Sequence, residues 1–164
     1  MYEIGDCIVC GKHGTCKVVS IGPMAISGAS DRLYYTLSPV YSSGSTVFVP
    51  VDNVKVVMRP VLTKEEANAL IDSLAEVKEL VVDVEKQREF IYKNAINSCD
   101  CDQLLQLLKA LMIRRKERLD SGKKVPSIDE RYSKIAQDYL YGELALALEM
   151  EKRDVATVIE NGLE

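Results

Sequence analysis

The sequence predicts an α+β fold: a small antiparallel β-barrel or curled sheet over residues 1–60, followed by an all-α helical domain over residues 61–164. Three observations predict it. Short β-branched and aromatic runs divided by glycine turns fill the first part, apolar residues at helical spacing fill the second, and the change falls at Pro60, after which glycine becomes scarce. A chain of 164 residues with 47% hydrophobic content can bury one good core or two small ones.

The strand candidates come first. "CIVC", "GTCKVVSI", "RLYYTLSPVY", "STVFVPV" and "VKVVM" are short runs separated by "GKHG", "SGAS" and "SSGS", the punctuation of a small antiparallel sheet. Thr63 with Glu66 three residues later forms a capping box at the head of "TKEEANALIDSLAEV". A second helix is expected across "VEKQREFIYKNAI". A third runs through "DQLLQLLKALMIRRKERL", with Leu104, Leu107, Leu108 and Leu111 on one face. "SGKKVPS" interrupts the pattern, and a long fourth helix follows Pro126 and Ser127, carrying Ile128, Tyr132, Ile135, Tyr139 and Leu146. "KRDVATVIENG" reads as a closing helix ended by Gly162.

Composition excludes several functions. No apolar run approaches the roughly eighteen residues of a membrane span, and "MYEIGDCIVC" lacks the basic start and apolar middle of a signal peptide. A cytoplasmic protein without membrane contact is expected, its five cysteines reduced. The net charge of −4 argues against generic adhesion to nucleic acid. A local patch nevertheless exists: between Lys109 and Lys124 lie seven basic residues, including Arg114, Arg115, Arg118 and Lys123, against only Glu117 and Asp120. Arg88 and Lys93 add a smaller cluster. Such residues can meet backbone phosphates, although charges on an amphipathic helix are often just its solvated face. Asp72, Glu76, Glu79 and Asp83 make the preceding segment acidic, which keeps DNA off that side. With a single histidine and no nucleophile paired to a base, no catalytic arrangement, cofactor or small-molecule substrate is indicated.

The stretch "DCIVCGKHGTC" places Cys7, Cys10, His13 and Cys16 at every third position, which raises a zinc reading. Geometry opposes it. If "DCIVC" is a strand, Cys7 and Cys10 point to opposite faces and cannot converge on one ion. Structural zinc sites pair cysteines on a tight knuckle and separate the two ligand pairs more widely. The cysteines are expected to be small core hydrophobes, His13 a turn residue, and the metal content nil.

The same stretch resembles the opening of the CarD family of bacterial transcription regulators, in which a G-D-x-V-V-Y-P-x-H-G pattern begins a Tudor-like domain that binds RNA polymerase. Gly5, Asp6, Val9, His13 and Gly14 match it, while Cys10 and Gly11 stand where the family has tyrosine and proline. "TVFVPVDNV" and "RPV" resemble the later strand, turn and exit of that domain, and "GELALAL", Gly142 to Leu148, resembles a run in the family's last long helix. A related amino-terminal module occurs in the transcription-repair coupling factor, but this chain is too short to hold that protein's motor. The resemblance implies docking on the RNA polymerase β subunit by pairing an exposed strand with one of the polymerase's own. Ser45, Thr46, Val47, Phe48 and Val49 are the candidate edge, with Thr46 and Phe48 on one face and Val47 and Val49 on the other. It also implies weak contact with promoter DNA near the upstream edge of the bubble, for which Arg88, Lys93, Arg114, Arg115, Arg118 and Lys123 are the candidates.

One departure stands out. Family members carry a tryptophan that wedges into the minor groove, and this chain has none; against the family's W-K-x-R stretch, "EKQR" sets Glu85 in its place. Phe90 and Tyr92 are the aromatic substitutes nearby, both read as core-facing. Three function classes follow: a non-enzymatic polymerase-binding regulator, a barrel-plus-helices module for another protein or RNA without promoter-DNA activity, and a zinc-dependent protein. The order of motifs favours the first, the missing tryptophan the second, and the cysteine spacing alone the third.

Overall fold

The computed structural model describes residues 1–24 and 31–164. The turn expected at "SGAS", Ser27 to Ser30, lies outside the described residues. The chain divides into two compact units, Met1–Val61 and Leu62–Glu164.

The first unit is a five-stranded antiparallel sheet of β1 (Cys7–Cys10), β2 (Gly14–Pro23), β3 (Leu33–Pro39), β4 (Val47–Pro50) and β5 (Met58–Pro60), in the order β4-β3-β2-β1-β5. Its core takes alternate residues from one face: Ile8 and Cys10, Cys16 and Val18, Tyr35 and Leu37, then Val49. The register of β2 against β3 shifts between Val18 and Ser20. That bulge leaves Val19 on the surface and turns Ile21, rather than Ser20, toward the core. Between β1 and β2 the chain turns through a short 3-10 helix, Gly11–His13, with Gly11 at φ 38°. A proline, fixed near φ −65°, could not stand there, and a β-carbon at Gly11 would fall 2.8 Å from Val56 Cγ1.

The run "VKVVM" does not form the expected strand. Asn53 intervenes: its Oδ1 accepts the backbone N–H of Lys55 and of Val56 at 2.9 and 3.0 Å, and its Nδ2 donates to the Val56 carbonyl at 2.7 Å. A side chain that satisfies the backbone locally holds the valines in a turn. The strand is delayed to Met58–Pro60, where it pairs with β1.

The second unit contains α1 (Lys64–Asp72), α2 (Arg88–Asn97), α3 (Cys101–Asp120), α4 (Ser127–Leu148) and α5 (Lys152–Leu163). The capping box forms as its residues require, Glu66 N–H to Thr63 Oγ1 at 3.1 Å and Thr63 N–H to Glu66 Oε2 at 2.8 Å. On α3, Leu104, Leu107, Leu108 and Leu111 are all buried, with Leu105 beside them. Helix α3 packs on α4, and α2 touches both. Between Val77 and Val84 the chain has no regular structure and is pinned to α3: Leu80 N–H donates to the Gln106 carbonyl at 3.0 Å, and Lys109 Nζ to the Val77 carbonyl at 2.7 Å.

The inner face of α4 carries charge, and one expectation, at the end of α5, is corrected. The buried face of α4 is Asp129, Tyr132, Ala136, Leu140, Glu143 and Leu144, whereas Ile128, Ile135, Tyr139 and Leu146 are half-buried at its margins. Two carboxylates sit on this inner face, each with partners. Glu143 accepts Leu62 N–H at 3.0 Å, and the Cys101 thiol lies 3.4 Å from its other oxygen. Gly162 does not end α5 but lies within it, where the helix passes so close to Leu74 that an added β-carbon would clash with its side chain. Among the described residues, no helix is long and apolar enough to cross a membrane.

Candidate functional site

Among the described residues, strand β4 is one end of the sheet, with only β3 beside it. Val51 N–H donates to the Leu33 carbonyl at 2.9 Å, and Val49 stands opposite Tyr35 and Val47 opposite Leu37. Antiparallel ladders alternate, so the backbone groups of Val47 and Val49 point toward β3 while those of Phe48 point away. Pro50, which has no N–H to offer, shares the outward parity. Side chains divide as expected: Val49 is buried and Val47 packs against the core, while Phe48 is 46% exposed. Ser45 and Thr46 precede the strand and are exposed. The opposite end, β5, is only three residues long and ends in Pro60.

The cysteine-histidine stretch is spread over this sheet. Cys10 and Cys16 are fully buried on the core face, Cys7 is half-buried on the other face of β1, and His13 is exposed. Burial, with Cys10 close by, pushes the Cys16 thiol up to about 12. The raised value keeps it protonated at neutral pH, which opposes alkylation, since that needs the thiolate. Iodoacetamide at pH 8 is expected to label Cys7 and leave Cys10 and Cys16 unmodified in the folded chain. Mass spectrometry after digestion checks this, and labelling of Cys16 at the rate of Cys7 contradicts it.

In the helical unit the candidate DNA residues separate into two groups. Arg88 and Arg114 belong to a closed ring of polar contacts. Arg88 Nε and Nη2 donate to the two Glu85 oxygens at 2.8 and 2.7 Å, and Arg88 Nη1 donates to the Tyr92 hydroxyl at 2.9 Å. The Tyr92 hydroxyl donates to Asp129 Oδ1 at 3.2 Å, and Arg114 Nε to Asp129 Oδ2 at 2.6 Å. Arg114 Nη2 closes the ring 3.6 Å from Glu85 Oε1. The hydrogen bonds from Arg88, and then the charges of Arg88, Arg114 and Arg118, hold the Glu85 carboxyl below its usual range. Burial, more than any other influence, raises the Tyr92 phenol. The ring ties the 3-10 turn Glu85–Gln87 to α2, α3 and α4.

The second group faces solvent. Arg115 stands 3.8 Å from Glu130 with 57% of its side chain exposed. Arg118 Nε donates to the Lys124 carbonyl at 2.8 Å and so ties the loop after α3 back to the helix. Lys93, Lys116 and Lys123 are exposed and make no ion pair among the described residues. Lys109, counted in the basic run, is engaged with Val77.

The aromatic expectations are half corrected. Tyr92 is buried at 1% exposure, edge-to-face with Tyr132. Phe90 is 65% exposed, because it lies two residues from both Arg88 and Tyr92 and therefore on the far side of α2. Helical spacing relative to the known core residue Tyr92 would have found this. Asp129 was not singled out by sequence reasoning. A carboxylate in the first turn of a helix reads as an ordinary dipole partner, and only the fold reveals its burial at 3% exposure.

Residues 2–62 match the family model described as the CarD-like/TRCF RID domain, a span that coincides with the sheet unit. No curated protein matches the chain.

Proposed function

The amino-terminal unit is a Tudor-like CarD-like/TRCF RID domain, a module of transcription proteins that interacts with RNA polymerase, and from that premise we propose that this protein is a non-enzymatic regulator acting in the bacterial cytoplasm. It docks on the polymerase β subunit through β4 and brings the basic face of the helical unit to promoter DNA near the upstream edge of the bubble. The observation that carries the docking is the outward-pointing backbone of Phe48 on an end strand. A sheet edge of this kind accepts a partner strand through main-chain hydrogen bonds, with side chains adding selectivity.

For DNA the support is the exposed set of Arg115, Lys116 and Lys123 at the carboxyl-terminal part of α3, with Lys93 on α2. Phosphate contacts of this type position a protein without reading sequence, and each releases condensed counterions. Replacing Arg115 and Lys123 together with alanine is expected to weaken promoter occupancy by the polymerase complex similarly across sequences. The log–log salt slope is expected to fall by about two, roughly one per lost phosphate contact. Footprinting at several salt concentrations measures both; an unchanged slope removes these residues from the interface. The competing reading, a protein or RNA interaction module without promoter-DNA activity, is favoured by the internal neutralisation of Arg88 and Arg114. Failure to copurify with core polymerase, combined with an unchanged slope, would select it.

A further inference from the structure

Glu85 sits where its neighbours present a set of donors suited to an anion. Nε and Nη2 of Arg88 form a two-pronged fork on its carboxylate at 2.8 and 2.7 Å, and Nη2 of Arg114 stands 3.6 Å from Oε1. Both guanidiniums are also held from behind. Arg88 Nη1 is fixed by the Tyr92 hydroxyl and Arg114 Nε by Asp129, and Tyr92 and Asp129 are themselves buried. These anchors remain when Glu85 leaves, so the donors that now hold it stay aimed at the same point. Glu85 is free to leave: 69% of its side chain is exposed, and it rides on the three-residue turn Glu85–Gln87. Its departure strands no buried charge of its own.

We propose that Arg88 and Arg114 form a preorganised oxyanion site for a phosphate group, and that Glu85 is its internal occupant, an autoinhibitory carboxylate that a phosphate displaces. An arginine fork accepts the paired oxygens of a carboxylate and of a phosphate in the same geometry. A phosphodiester of a nucleic-acid backbone brings one negative charge, equal to that of Glu85, whereas a free or terminal phosphate brings about −1.5 to −2 at neutral pH and a third acceptor oxygen. The two sources share one chemistry but differ in how well they compete. Arg118, whose charge acts on Glu85, adds to the positive field at the point of exchange. The inference rests on the proposed phosphate-contacting role of the basic cluster and adds a gate to it.

The test uses the full chain, with Glu85→Gln and Glu89→Gln compared. Glu89 is an exposed carboxylate in the first turn of α2, paired instead with Arg131 and Tyr132, so its loss controls for net charge. Sodium pyrophosphate is titrated while the Nε–Hε resonances of Arg88 and Arg114 are followed in 1H–15N spectra. If Glu85 occupies the site about nine-tenths of the time, removing it tightens binding about tenfold, because apparent affinity scales with the fraction of competent sites. Glu89→Gln is expected to change it less than about twofold, a general charge effect. An unphosphorylated duplex followed by fluorescence anisotropy forms the second arm. A gain with duplex assigns the site to backbone phosphate, and a gain with pyrophosphate alone assigns it to a free or terminal phosphate and sinks the DNA role while leaving the site. Equal responses from the two variants, or shifts confined to Arg115, overturn the proposal.

Discussion

Replacing Arg114 with alanine is expected to destabilise the helical unit by about 3 kcal/mol, the low end of the range for removing one partner of a buried ion pair. Asp129 is 3% exposed, and its Oδ2 is bonded to Arg114 at 2.6 Å. Without that guanidinium the carboxylate keeps only the Tyr92 hydroxyl, and an uncompensated buried charge is costly. The low end applies because 24% of the Arg114 side chain reaches solvent, and water can partly replace it. Urea unfolding followed by circular dichroism at 222 nm measures the loss, since the five helices lie in this unit and the chain has no tryptophan for fluorescence. Combining Arg114→Ala with Asp129→Ala is expected to cost less than the sum of the single changes, as coupled partners do. A loss below about 1 kcal/mol for Arg114→Ala would show that the pair is effectively solvated. The consequence for function is direct: a DNA-binding defect in Arg114→Ala would conflate folding with contact, which is why Arg115 and Lys123 are the informative positions.

The second large effect belongs to the docking strand. Phe48→Pro is expected to weaken binding to RNA polymerase by roughly thirtyfold, about 2 kcal/mol, the worth of one or two main-chain hydrogen bonds at an interface. The substitution removes the outward N–H of Phe48 and leaves the β4 to β3 ladder in place, because that ladder uses Val47, Val49 and Val51. Proline is tolerated at an edge position whose N–H faces away from the sheet, as Pro50 already shows. Phe48→Ala is the comparison, since it removes the half-exposed ring and keeps the N–H. Strand addition predicts that proline is the more harmful of the two; a purely side-chain contact predicts equal losses. Retained far-ultraviolet and near-ultraviolet dichroism shows that each variant is folded. An intact fold with undiminished binding in Phe48→Pro would remove β4 from the interface.

Much of this was legible in the sequence because it depends on near neighbours. The capping box needs only Thr63 and Glu66, and the buried stripe of α3 only four leucines at helical spacing. The opening motif likewise survives as order and spacing, and the matched span 2–62 contains it. The limits are equally local. "VKVVM" has the composition of a strand, but Asn53 offers its backbone a turn, and composition does not weigh one hydrogen-bonding side chain against four β-branched or apolar neighbours.

What only the tertiary structure decided is which groups meet across long stretches of chain. Whether β4 is an end strand depends on the order β4-β3-β2-β1-β5, and an internal strand of the same sequence would look identical. The ring through Glu85, Arg88, Tyr92, Asp129 and Arg114 draws on segments up to 44 residues apart. It reverses the simplest meaning of its members: two cations that read as solvated become internal, and a carboxylate that reads as helix-end decoration becomes buried. Periodicity reports how hydrophobic a face is. It carries no information about whether a charge on that face finds its opposite, and in a low-dielectric interior the partner decides whether a charge can be buried at all.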